Sequence, residues 1–157
     1  MIREDDIELA DFDELQNMLT RMISVLEEPQ MTRDRWQVII EFLEEMEKRI
    51  FAEERTPDGE SWPALSPYTI RKKGHSIKLV EKRLLIESMT QSGAQHAIRE
   101  IDLAELVFGT NRPWATSHQY GTDEIPQREF AGLGQDDLEG VVNLVADAAV
   151  EMMMDVR

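Results

Sequence analysis

Thr56-Pro57-Asp58-Gly59-Glu60-Ser61-Trp62-Pro63-Ala64-Leu65-Ser66-Pro67 is the stretch that organises the rest of the chain. Its first half is turn chemistry: Pro presets one backbone angle, Asp bonds to nearby backbone, and Gly admits angles that other residues resist. Its second half starts a helix. Ser66 is an N-cap whose hydroxyl can accept from the first turn, and Pro67 suits the first helical position, where no N–H is needed. Gly74 ends that short helix.

Upstream, two helices are expected. Phe12, Leu15, Leu19, Met22, Ile23 and Leu26 recur at spacings of three and four, so they share one helical face. Asp11 and Glu14 form a capping box for this helix, and Glu28-Pro29 closes it. Thr32 caps the second helix, whose apolar stripe is Trp36, Ile39, Ile40, Leu43, Met46, Ile50 and Phe51. Glu41, Glu44, Glu45, Glu47, Lys48 and Arg49 are assigned to its polar face. The pair reads as an antiparallel helical hairpin.

Downstream, residues 79–90 read as a helix through Leu79, Leu84, Leu85 and Met89. Ser92-Gly93 breaks the chain, and 95–101 and 104–108 read as two short strands carrying Ala97, Ile98, Ile101, Leu106, Val107 and Phe108. Gly109-Thr110-Asn111 is assigned as a turn. Pro113 to Gly121 suits a short helix. Leu138, Val141, Val142, Val145, Ala149 and Met152 predict a long C-terminal helix with Asp136, Asp137 and Glu139 in its first turn. The expected class is α+β: an N-terminal helical hairpin, a short antiparallel β hairpin or small sheet, and a long C-terminal helix, within one domain over 1–157. Its parts are the N-terminal helices (1–55), a middle region of short strands and loops (56–134) and the C-terminal helix (135–157).

Charge narrows the function. The chain has 157 residues with 17 Lys+Arg against 32 Asp+Glu, a net charge of −15. Such a surface repels phosphate backbones and anionic membrane surfaces, which argues against nucleic acid and membrane as partners. The imbalance is uneven: residues 1–60 hold 7 basic and 18 acidic side chains (−11), residues 61–83 hold 6 and 1 (+5), and residues 84–157 hold 4 and 13 (−9). The basic island is Arg71, Lys72, Lys73, Lys78, Lys82 and Arg83. These side chains either decorate helix ends and pair with the protein's own acids, or form a candidate docking patch for an acidic face of a neighbouring copy. There is no cysteine, so disulfides and thiolate chemistry are excluded. The acidic N-terminus lacks the order of a signal peptide, and no apolar run is long enough to span a bilayer, so a cytoplasmic protein is expected.

Few groups suggest catalysis. His75, His96 and His118 lack metal-motif spacing. A hydrolase would need His118 to pair with Asp123 or Glu124 as a general base. The bland alternative is a structural His118 bonded to backbone near Gly121. Most carboxylates fall on helical polar faces, and Gly132-Leu133-Gly134 is too short to cradle phosphate. Trp62, Trp114, Tyr120 and Phe130 lie in loops or short helices, either plugging the core or anchoring a protein interface.

Four phrases in order carry a resemblance. Phe51 is followed by Pro57-Asp58-Gly59, then Trp62 to Thr69, then Lys72. Val107-Phe108-Gly109-Thr110 precedes Trp114-Ala115 and His118-Gln119-Tyr120-Gly121. Ile125-Pro126-Gln127-Arg128-Glu129-Phe130 comes next, with Gly132. Over about 51–134 the chain resembles the phage virion morphogenesis family, including proteins of Mu-like prophages. The resemblance implies a tail-completion or head–tail joining protein, without enzymatic activity, metal, cofactor or small-molecule substrate. It implies contacts with other virion proteins at the tail-tube end, neck or connector, and with itself in a ring. It places the protein in the host bacterial cytoplasm during assembly and at the virion neck or tail end afterwards. The implied structural or interface residues are Gly59, Trp62, Ser66, Pro67, Gly109, Trp114, His118, Gln119, Tyr120, Gly121, Pro126, Arg128 and Phe130. Gly59, Gly109 and Gly121 are expected to hold unusual backbone angles, and Arg128 to bind a carboxylate bidentately, within the chain or across an interface. An adaptor that binds a host protein, with no place in the virion, is the remaining alternative.

Overall fold

A computed structural model describes residues 31–154 except Leu103, together with Thr20. The expected first helix lies outside the described residues. In chain order the elements are α1 (Arg33–Glu53), α2 (Pro67–Lys73), a 3₁₀ turn (Glu81–Arg83), α3 (Leu84–Thr90), β1 (Ala97–Ile101), β2 (Leu106–Thr110), α4 (Ala115–Tyr120) and α5 (Gln135–Met154). The class is α+β, as the sequence predicts, with one two-stranded antiparallel sheet and a long C-terminal helix.

Helix α1 is the central element, packed against α3, α5 and β1. Every residue of its predicted stripe is buried: Trp36, Ile39, Ile40, Leu43, Met46, Ile50 and Phe51. All of these but Ile40 share a core cluster with Trp62, Leu79, Leu85, Met89, Ala115, Phe130 and Ala148. Burying each large aliphatic or aromatic side chain contributes about 2 kcal/mol before chain entropy is counted. Two details of α1 differ from expectation. Thr32 is extended but its side chain makes no capping bond. Glu47, assigned to the polar face, is only 1% exposed. It sits one position from Met46 and three from Ile50, within the arc that the neighbouring elements cover.

Helix α2 forms as read. Ser66 Oγ accepts from the Thr69 N–H at 3.1 Å, Pro67 occupies the first turn, and Gly74 closes the helix with φ 76°. The expected continuous helix over 79–90 is shorter. Leu79, Lys82 and Arg83 adopt positive φ (54°, 55° and 56°), so α3 starts only at Leu84. Positive φ brings Cβ against the carbonyl oxygen, and helical spacing cannot anticipate it.

The hairpin is displaced from its predicted position. Ala97 pairs with Thr110 and Ile101 with Leu106, so Gly109 and Thr110 lie inside β2 and not in a turn. Asp102 and Glu105 close the connection, the Asp102 N–H donating to the Glu105 carbonyl at 2.9 Å. Gly109 has no positive φ, unlike Gly59 at 88° and Gly121 at 74°. The C-terminal helix forms, but rotated from the predicted stripe. Asp137 and Ala148 are buried and Val141, Leu144 and Met152 pack on the core, whereas Leu138, Val142 and Val145 face outward.

Two ion pairs tie α1 to later elements. Arg49 binds both carboxylate oxygens of Asp137 at 2.7 Å, tying α1 to α5. Arg99 donates to Glu44 at 3.2 Å and to the carbonyls of Ile98, Met89 and Gly109, and its guanidinium lies 3.8 Å from the Phe108 ring centre. No described helix is long and apolar enough to cross a membrane.

Candidate functional site

The phrases singled out in the sequence converge in space. Trp62 is 3% exposed, stands edge-on to Phe51 at 5.5 Å, and donates from Nε1 to the Glu129 carbonyl at 2.7 Å. Phe130 lies 6.0 Å from Phe51 on the same cluster. Gln119 bridges α4 to the following loop. Its Oε1 accepts from the N–H groups of Phe130 and Ala131 at 3.0 Å each, and its Nε2 donates to the Ala131 carbonyl at 2.7 Å. The Arg128 N–H donates to the His118 carbonyl at 2.8 Å.

Arg128 is buried, but its partners are not the expected carboxylate. Nε donates to the Pro63 carbonyl at 3.0 Å and Nη2 to the Ala64 carbonyl at 3.2 Å. The guanidinium thus satisfies the backbone of the Trp62–Pro67 connection, which has no ladder of its own. Ser66 and Pro67 start α2 beside it, and Pro126 is exposed in the loop that leads to Arg128. Trp62, Phe130 and Arg128 are therefore interior positions. The accessible aromatics are Trp114, 38% exposed, Tyr120 at 73%, and Tyr68 on α2, which the sequence reading did not single out.

A cavity of about 400 Å³ opens between these segments. Its apolar wall is Leu65, Leu79, Leu84 and Trp114, and its polar wall is Lys73, Lys82, Arg128 and His118. Its residues come from three of the four phrases and from the basic island, which no single local pattern reveals. The His118 ring stands edge-on to Trp114 at 5.9 Å, and its buried Nδ1 has no hydrogen-bond partner. Burial holds the His118 pKa below the usual imidazole value, and the Arg128 and Lys73 cations push it the same way. Asp123 and Glu124 are exposed and make no hydrogen bond to the His118 ring. The general-base pair that a hydrolase would need is not assembled, and neither is the ring's bond to backbone near Gly121.

The basic island separates into distinct roles. Lys78 is consumed internally: its backbone N–H donates to Glu54 Oε1 at 2.6 Å, and its ammonium pairs with Glu54 Oε2. Burial alone would raise the Glu54 pKa, but the hydrogen bonds and charge of Lys78, with Arg128 nearby, hold it below the usual value. Arg83 lies 3.8 Å from Glu87. Lys73 and Lys82 line the cavity, and Arg71 and Lys72 are exposed on α2. Among the described residues no His, Asp or Glu grouping could hold a metal ion.

This arrangement is a small α+β scaffold whose motif residues hold one another and present a cationic, apolar-walled recess. The chain belongs to the phage virion morphogenesis family, whose model matches residues 10–149. Comparison with curated proteins and with solved structures gave no match.

Proposed function

We propose that this member of the family is a tail-completion or head–tail joining protein that acts through protein contacts and not through catalysis. A joining protein needs a rigid body with a few accessible anchors. The observation that carries this reading is the division of labour within the motif residues. Trp62, Gln119, Arg128 and Phe130 lock the interior, while Trp114 on the recess wall and Tyr120 at the end of α4 remain accessible. Interfaces draw their binding energy from such aromatic and cationic anchors. The net charge of −15 favours protein partners over DNA. Its partners are other virion proteins at the tail-tube end, neck or connector, and further copies of itself in a ring. It acts in the host cytoplasm during assembly and resides in the virion neck or tail end afterwards.

The test is deletion of the gene in a producing phage followed by electron microscopy of the lysate. Filled heads separated from unfinished tails are the expected result. Normal, infectious particles would overturn the proposal.

A further inference from the structure

We propose that the recess between α2, the 79–84 segment and α4 captures an acidic peptide segment of a partner protein, one that carries a carboxylate beside an apolar side chain. This deepens the joining function proposed above and rests on it. Three observations converge. The recess is cationic in a chain of net charge −15, with Lys73, Lys82 and Arg128 on its wall and no carboxylate among its described lining residues. An anionic group entering it meets attraction locally, whereas most of the remaining surface repels it.

The second observation is shape. Leu65, Leu79, Leu84 and Trp114 supply an apolar wall, and about 400 Å³ is room for one or two side chains, not for a length of polynucleotide. A bare inorganic anion leaves that wall unused. The third is backbone strain. Leu79, Lys82 and Arg83 all hold positive φ without being glycine, and two of the three side chains, Leu79 and Lys82, line the recess. Such a conformation is unfavourable for any residue but glycine, and strain of this kind clusters where a site is held ready. Arg128 is fixed by the carbonyls of Pro63 and Ala64, so its charge is positioned before any ligand arrives.

The decisive measurement uses the full chain and two capped peptides, acetyl-Ser-Leu-Glu-Phe-Ser-amide and its Gln counterpart. Binding is followed by NMR of the Trp114 indole and His118 ring signals. The Glu peptide should shift both, leave the interior Trp36 and Trp62 signals in place, and bind about tenfold more tightly than the Gln peptide. Its affinity should fall as NaCl rises from about 50 to about 500 mM. Lys73→Gln with Lys82→Gln should remove most of the Glu-over-Gln preference while the Trp36 and Trp62 signals keep their folded positions. Equal binding of the two peptides overturns the proposal, as does an unaltered preference in the double variant. Inorganic phosphate binding as tightly as the Glu peptide also overturns it, because the apolar wall would then contribute nothing. The same double variant, placed in a producing phage, should reproduce the assembly block of the deletion. If the deletion blocks assembly and the double variant does not, the recess is wrong and the joining function stands. If the deletion has no effect, the joining function itself fails.

Discussion

Gln119 shows how much one side chain can organise. Its carboxamide satisfies the N–H groups of Phe130 and Ala131 and the carbonyl of Ala131, three backbone groups in a loop without secondary structure. Gln119→Ala leaves buried donors unpaired and should cost about 2 kcal/mol, read as a lower melting temperature in thermal unfolding. Gly121→Val should cost at least as much. Its φ is 74°, and a Cβ there would lie 2.9 Å from the Gln127 backbone nitrogen. An unchanged melting temperature in Gly121→Val would refute that account. Individual residues were legible in the sequence where their role is local. Ser66, Pro67 and Gly74 act on the backbone beside them, so their spacing sufficed. Gly134 was not legible. A Cβ on it would meet the Pro57 carbonyl oxygen at 2.3 Å, a close approach set by a residue 77 positions away. The carbonyl partners of Arg128 were not legible for the same reason, since they lie 64 and 65 positions upstream.

At the scale of elements, α1 and α5 contrast instructively. The apolar stripe of α1 is bordered by charge, so its period identifies the buried face. Helix α5 is apolar on two sides. Val141, Leu144, Ala148 and Met152 turn inward, while Leu138, Val142 and Val145 turn outward. Periodicity alone cannot choose between two such faces. The inward face carries the pair between Arg49 and Asp137, a tertiary contact that periodicity does not contain. Even on α1 the pattern missed Glu47, because binary patterning treats every carboxylate as polar surface. Burial raises the Glu47 pKa well above the usual carboxylate value, with Asp137 adding to the rise and Arg99 opposing it. The folded state therefore holds this proton more tightly than the unfolded chain does. Stability from this group is fully present below the unfolded pKa of about 4.3 and declines as pH rises toward the folded value. Glu47→Gln mimics the protonated form. Its melting temperature should exceed that of the wild type at pH 8, and the gap should narrow towards pH 5. A constant gap, or a wild type that is more stable at pH 8, would contradict this.

For the whole molecule, the net charge of −15 sets two responses to salt that oppose one another. The folded chain concentrates its acidic excess, and the resulting self-repulsion destabilises it. Internal pairs work in the other direction: Arg49 with Asp137, Arg99 with Glu44, and Lys78 with Glu54. The Arg99 and Lys78 pairs are sheltered, so screening reaches them less than it reaches the exposed acidic surface. Raising NaCl from about 0.01 to about 1 M shortens the screening length from about 30 to about 3 Å. The melting temperature of the isolated chain should therefore rise with salt, by a few degrees in calorimetry. Contacts made through the cationic recess should weaken over the same range, because attraction between opposite charges is screened as readily as repulsion. The two signs differ, so one salt series separates the stability of the scaffold from the strength of its docking. A melting temperature that falls with salt would mean that the internal pairs outweigh surface repulsion. Docking that strengthens with salt would assign the contact to the apolar wall of Leu65, Leu79, Leu84 and Trp114 alone.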